Sequence, residues 1–381
     1  MPLTRRTFLN TAAAATAALP LASQTESSLV YFGTYTRADS KGIYVSRLDA
    51  ATGKLTEPEV AAEIGNPSFV ALHPNGRNLY AVSELGTAGG QPGGTVTAYS
   101  INRSNGKLTQ LNQTTTKGTS PCHLNVDKTG KSLVLVNYGT GSTASYSVKP
   151  DGSLSDIVSF IQHTGSSITP RQKGPHAHSA NISFDNRFVV VADLGLDQVL
   201  VYKFDPAKAT LTPNDPPFVK VAPGSGPRHF TFHPKGRFAY VINEIASTVT
   251  AFTWDAKRGT FTEIQTISTL PDGWKGNTTT AEVVAHPNGK FLYGSNRGHN
   301  SLAVFTIDPA KGTLTRTANV PTQGEIPRNF AIDPTGKWLL AANQNTSNVV
   351  AFSIDQNSGD LKPTGQILKV GSPVCIRYLA V

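Results

Sequence analysis

The sequence predicts an all-β protein: a seven-bladed β-propeller of four-stranded antiparallel blades, its ring closed by N- and C-terminal strands that share one blade. Three observations predict it. The first is a repeated phrase, Pro-x-x-hydrophobic-x-hydrophobic-x-Pro-x-Gly-Arg/Lys followed by a β-rich run, starting at Pro67, Pro121, Pro227 and Pro327, with weaker copies at Ala177 and Ala281. The second is its spacing. Aligned on Arg77, Lys131, Arg187, Arg237, Lys290 and Lys337, the copies step by 54, 56, 50, 53 and 47 residues, and a period of about 50 with several short strands marks propeller blades. The third is what the ends leave over. Pro373–Tyr378 offers a lone first strand, while Leu29–Tyr35, Gly42–Leu48 and Gly53–Thr56 offer three strands without one. Joined, they make the seventh blade and remove the open edge.

Within each repeat the elements follow in order. The first strand ends at the Gly-Arg/Lys hairpin, and an alternating apolar run returns from it. A third strand such as Thr248–Trp254 precedes a polar turn, and a fourth opens with Gly-x-Leu/Phe-Thr, as at Gly106, Gly259 and Gly312. The 381 residues carry 38% hydrophobic residues, 34 Gly and 25 Pro, a turn-rich globular composition that fits one long repeat array.

Residues 1–23 stand apart from the repeat. Thr4-Arg5-Arg6-Thr7-Phe8-Leu9 precedes an Ala-rich stretch from Thr11 to Ala22. This is the pattern of a twin-arginine export signal, too short and alanine-rich for a permanent membrane anchor. Residues 24–381 are then the single propeller domain of a periplasmic or extracellular protein. The formal net charge of +9 falls to +7 without Arg5 and Arg6 and forms no Lys/Arg block. Such a spread suits solubility and small anionic ligands and argues against nucleic acid. Cys122 and Cys375 open equivalent strands of repeats that are not ring neighbours, which predicts two buried free thiols. No Cys/His cluster with metal-ligand spacing and no Gly-x-Ser-x-Gly elbow are present.

The repeat register also locates a site. The first strand of each blade lines the central channel and the second returns beside it, so residues about 16 apart meet at one mouth. The pairs are Ser68/Glu84, Cys122/Tyr138, His178/Leu194, Arg228/Glu244, Ala281/Arg297 and Arg328/Gln344. One position earlier stand Ser83, Asn137, Asp193, Asn243, Asn296 and Asn343, mostly as turn formers. His176 and His178 alternate on one strand, so one of them faces the channel, and the register selects His178. An Arg228–Glu244 pair is compatible with a purely structural role as well as a catalytic one.

Six segments, Tyr31–Thr36, Gly174–Ser179, Gly226–Phe230, Ile242–Glu244, Ser295–Gly298 and Pro327–Phe330, resemble the lactonase family of seven-bladed β-propellers. That family includes propeller-type 6-phosphogluconolactonases and a carboxymuconate-lactonizing enzyme. The resemblance implies an arginine, glutamate and histidine site, which falls on Arg228, Glu244, Arg297 and His178, the mouth already reached from the register. Glu244 or His178 would deprotonate a water that opens the lactone, and Arg228 and Arg297 would hold the anionic group and the oxyanion. Arg328, Gln344, Asn343, His176 and Glu84 are the substrate-binding candidates. The expected partner is a small anionic or polyhydroxylated lactone. No cofactor or metal is expected, because the carboxylates near the mouth (Glu84, Asp193, Glu244 and Glu282) are interspersed with arginines, and a closed ring predicts a monomer. A lactone-forming cycloisomerase and a non-catalytic carbohydrate- or protein-binding propeller are the competing readings.

Overall fold

The computed structural model describes residues 27–381 apart from Ala38 and Gly89, so the expected signal segment lies outside the described residues. Seven four-stranded antiparallel sheets form the ring. Blade 1 combines Ser27–Thr34, Gly42–Asp49 and Glu59–Glu63 with the C-terminal strand Pro373–Ala380 on its inner side. That strand pairs antiparallel with the first, Phe32 opposite Ile376. Blades 2 to 7 follow in chain order, with inner strands Val70–Leu72, Pro121–Val126, Ala177–Ile182, Pro227–Phe232, Thr279–Ala285 and Pro327–Ile332. Among the described residues no helix is long and apolar enough to cross a membrane.

Second strands such as Phe238–Asn243 are buried at every residue, because both faces pack against neighbouring blades. The outermost strand Thr260–Ser268 has no such cover, and none of its residues is fully buried. Between blades 4 and 5, Phe188, Val190, Phe230, Phe252 and Trp254 form one such core. Each large side chain fully buried there contributes about 1.5–3 kcal/mol.

The repeated phrase has a direct structural meaning. His73, His233 and His286 each donate through Nε2 to a carbonyl in the next blade's hairpin, that of Gly130, Gly289 or Gly336, at 2.9, 2.9 and 2.8 Å. Their Nδ1 atoms accept the amides of Asn75, Lys235 and Asn288, which sets the tautomer. Glycine is required at such a hairpin: Gly289 has φ +72°, and a Cβ there would lie 2.9 Å from the His233 ring.

A second tie recurs at the Gly-x-Leu turns. Tyr31, Tyr80, Tyr240 and Tyr293 donate to the carbonyls of Gly106, Gly152, Gly312 and Gly359 at 2.8–3.1 Å. Tyr240→Phe should therefore cost about 1–2 kcal/mol, because it leaves a buried carbonyl without its donor. Chemical unfolding should register that loss.

One feature escapes a simple reading of strand alternation. The inner strands of blades 3 to 7 carry a β-bulge, between Pro121/His123, Ala177/Ser179, Pro227/His229, Thr280/Val283 and Pro327/Asn329. The residues pushed out of register are Cys122, His178, Arg228, Ala281 with Glu282, and Arg328. A bulge re-aims the side chain it carries, and here three of the five bear predicted site residues. Both cysteines are buried free thiols.

Candidate active site

Glu244 follows strand Phe238–Asn243, and its amide donates to the Gly226 carbonyl at 2.7 Å, so the backbone fixes where its side chain starts. The residue is 4% exposed and its carboxylate meets three guanidinium groups. Oε2 lies 3.0 Å from Arg228 Nε and 2.9 Å from Arg297 Nη2. Oε1 accepts a 2.7 Å hydrogen bond from Arg171 Nη2. His178 Nε2 stands 4.0 Å from Oε2.

Two of these arginines are locked from behind. Arg228 Nη1 donates to the Ala281 carbonyl at 2.7 Å, and Arg297 Nη2 to the Thr280 carbonyl at 2.8 Å. Their approach to Glu244 is close but off-line, and Nε of each is buried without a hydrogen-bond acceptor. Buried donors left in that state are uncommon in native proteins and concentrate where chemistry is done.

Burial by itself would raise the Glu244 carboxyl, but Arg297, Arg228 and Arg171 outweigh it and hold it down at about 2. Burial pulls Arg297 down to about 9, against the opposing pull of Glu244, which still leaves it charged at neutral pH. His178 is pushed well below its ordinary value by burial and by Arg228, so it is a neutral imidazole. It sits edge-on to Tyr138 and His229, with ring centres at 5.2 and 5.3 Å, and its Nδ1 is 3.7 Å from Cys122 Sγ.

Beside this group opens a cleft of about 370 Å3 lined by Asn277, Thr278, Thr279, Arg297, Arg328 and Gln344 together with Gly298, Ile326 and Asn345. A sugar-sized ligand fits such a volume. Arg328 lies over the Tyr35 ring at 5.4 Å and has no carboxylate within ion-pair distance among the described residues. Burial opposes its charge, yet Tyr35, Glu84 and Glu244 raise it above the ordinary arginine value. A larger cleft of about 570 Å3, lined by Arg187, Lys203, Asn214 and Lys257, includes the hairpin residue Arg187 at the other end of the ring and holds none of these groups. The smaller cleft is the one joined to the chemistry.

The structure thus brings Glu244, Arg228, Arg297 and His178 together, with Arg328 and Gln344 on the adjoining cleft. Glu84 is further out, its two oxygens accepting from the Tyr35 hydroxyl at 3.0 and 2.9 Å. His176 is at the rim rather than on the far side of the strand. The bulge at Ala177 lets it stack on Tyr138 at 4.6 Å while its Nδ1 donates to the Tyr138 carbonyl.

Asn343 requires correction as a substrate-binding residue. Its side chain is fully buried behind the cleft and donates to the Thr322 carbonyl at 3.1 Å, tying its strand to the connector from blade 6. Asn137 and Asn296 make the same kind of tie to Thr116 and Thr269. Glu282 also moves. It lies deeper in the channel, bonded to His229 Nδ1 at 2.9 Å and to Asn329, and its carboxyl is raised by burial.

Arg171 was not legible from the repeat. It sits on a single 3-10 turn, Pro170–Gln172, in the connector 163–176 between blades 3 and 4. That connector is outside the repeat register, and its only signal is that it is the longest interblade link among the described residues.

Comparison with known proteins agrees with this architecture. A 6-phosphogluconolactonase of Bacillus subtilis is 39% identical over 303 residues, covering 80% of this chain and 84% of its own length. A 6-phosphogluconolactonase of Formosa agariphila is 35% identical over 310 residues, covering 80% of this chain and 86% of its own. The solved structure of the Pseudomonas aeruginosa periplasmic gluconolactonase superposes with a TM-score of 0.88 at 36% identity, covering 93% of this chain and 99% of the other. Residues 29–378 match the family described as "Lactonase, 7-bladed beta-propeller", and the chain belongs to that family.

Proposed function

We propose that this chain hydrolyses a sugar lactone of the 6-phosphogluconolactone type, opening the ring ester to the aldonic acid. The observation that carries the reading is one carboxylate ringed by arginines, two of them buried with an Nε–H that has no in-line hydrogen-bond acceptor, at the edge of a cleft holding a further guanidinium without a carboxylate partner among the described residues. Counted over Arg171, Arg228, Arg297, Arg328, Glu84 and Glu244, the mouth is net cationic, which favours a substrate that carries or develops negative charge.

In this reading a lactone lies in the cleft with its carbonyl oxygen toward Arg228 and Arg297. Glu244 accepts a proton from water as the water oxygen bonds to the carbonyl carbon, and the oxyanion so formed is held by the two guanidinium groups. Collapse restores the carbonyl, breaks the ring C–O bond, and returns the proton from Glu244 to the departing alkoxide. The product is the hydroxy acid, which ionises at neutral pH and releases one proton. His178, neutral and packed against Tyr138 and His229, stands 4.0 Å from Glu244 Oε2. Arginine suits the task because it stays charged when buried and presents several donors in a fixed plane. Arg328 and Gln344 bind substrate hydroxyls, and no bound metal is needed for any step.

Export through the Arg5-Arg6 signal and action as a monomer belong to the same reading. The periplasmic naming of the Pseudomonas relative supports the export, and cell fractionation tests it.

The deciding experiment is pH-stat hydrolysis of glucono-δ-lactone and 6-phosphoglucono-δ-lactone by the mature protein, corrected for spontaneous opening, with and without chelator. Turnover above background that survives chelator is expected. No turnover of either lactone, together with conversion of a cis,cis-muconate, would instead favour the cycloisomerase.

A further inference from the structure

Glu244 is the proposed base, and each of its oxygens already faces a guanidinium group. Oε2 is flanked by Arg228 and Arg297, which the Ala281 and Thr280 carbonyls fix in place. Both are almost wholly buried, with side chains 3% and 11% exposed. Oε1 is covered by Arg171 alone, and that side chain is 46% exposed. Of the three cations, only Arg171 has room to leave.

Its backbone is held while its side chain is not. Gln172, next in sequence, is fully buried and donates to the Leu194 carbonyl at 2.8 Å. Ser167 donates to Asp197 Oδ2 at 2.5 Å and its amide to the Gln172 carbonyl at 2.8 Å. Asp197 in turn accepts the amides of Gly224 and Gly226, one residue before the inner strand that carries Arg228. The 3-10 turn is therefore pinned to blades 4 and 5. Arg171 makes one further contact, Nη2 to the Tyr138 hydroxyl at 3.2 Å, so rotating its side chain breaks two hydrogen bonds and disturbs no packed core.

We propose that Arg171 is a substrate-operated latch: the phosphate of a phosphorylated lactone draws its guanidinium off Glu244, and the Oε1 so released receives the attacking water. The proposal rests on Glu244 acting as the base, and it makes Arg171 a specificity-determining residue for that reaction. A lactone with no anionic group offers nothing to exchange for the Arg171–Glu244 bond, so it meets a carboxylate still paired to Arg171. A phosphate replaces that bond with a charge-assisted, two-pronged one, and the binding energy of a remote group is thereby used at the reacting centre. Tyr138, stacked on His176, marks the rim where the displaced guanidinium and the phosphate meet.

The test is Arg171→Ala in the full mature protein, with kcat and KM measured on both lactones. The latch predicts opposite changes. For 6-phosphoglucono-δ-lactone kcat/KM falls about 10–100-fold, the worth of a charged hydrogen bond, while for glucono-δ-lactone kcat rises because Oε1 is permanently uncovered. Arg171→Lys should keep part of the preference for phosphate. A merely structural arginine would lower both rates together, and that outcome, or no change in either, overturns the latch. A second arm needs no turnover: calorimetric binding of 6-phosphogluconate and of gluconate. Arg171→Ala should weaken the first about tenfold or more and spare the second. Equal binding of 6-phosphogluconate by variant and wild type overturns the latch. Failure of the wild type to hydrolyse either lactone would count against the proposed function, and the binding arm would still decide whether Arg171 reads the phosphate.

Discussion

Glu244→Gln should lose about 10²–10⁴-fold in kcat on its best lactone, the usual contribution of a positioned general base, with KM changed far less. It should also unfold more easily. The amide keeps the shape but removes the charge, leaving Arg228 and Arg297 as buried cations without a counter-ion, and breaking such a cluster costs on the order of 3–5 kcal/mol. Acid provides an internal check. The carboxyl is held at about 2 in the folded chain, below its ordinary 4.5. A depressed carboxyl pKa contributes stability that is complete above the unfolded value and is lost as pH falls through the folded one. Wild type should therefore lose this stability as pH drops from about 4.5 toward 2, and the gap to the glutamine variant should narrow over the same window. Urea unfolding of both proteins across that range measures it. Near-wild-type turnover in the variant would remove Glu244 as the base, and equal acid sensitivity would remove it as the linked group.

Arg228→Met should reduce kcat/KM by about 10²–10³-fold, the effect of deleting one donor to a developing oxyanion. Methionine fills the stem volume and can adapt to the space, though the Ala281 carbonyl loses its 2.7 Å donor. The pH profile should move as well. Burial raises Glu244, and Arg297, Arg228 and Arg171 oppose it, with His178 facing the same carboxylate as a neutral ring. Removing one of the three cations lets the carboxyl rise, so the acid limb of kcat/KM shifts to higher pH. Arg228→Lys should not restore the rate, because one ammonium cannot replace a guanidinium spanning the Ala281 carbonyl and Glu244. A rate loss without any shift of the acid limb would separate Arg228 from Glu244 and overturn their coupling.

The ring was legible because its physics is repetitive. Each hairpin histidine, turn glycine and interblade tyrosine solves the same local problem in several blades, so one phrase recurs and its spacing counts the blades. The Arg228/Glu244, Ala281/Arg297 and Arg328/Gln344 positions were legible for the same reason: departures from a repeat stand out against it. Asn343 reads alike in sequence whether it faces a ligand or ties its strand to the preceding connector, and in the structure it does the second.

What the sequence determined by itself was the number of blades, the closure of the ring by its two ends, and the mouth at which Arg228, Glu244, Arg297 and His178 gather. Only the tertiary structure decided how those side chains are aimed and which of them are free. Bulges turn His178, Arg228 and Arg328 out of the strand register, and they bring His176 and His178 to the same tyrosine ring. Arg171 reaches Glu244 across 73 residues of chain from a connector that obeys no repeat. Periodicity records interactions that every blade makes, whereas the contacts that single out one carboxylate are made once, between segments distant in sequence, and exist only when the ring has closed.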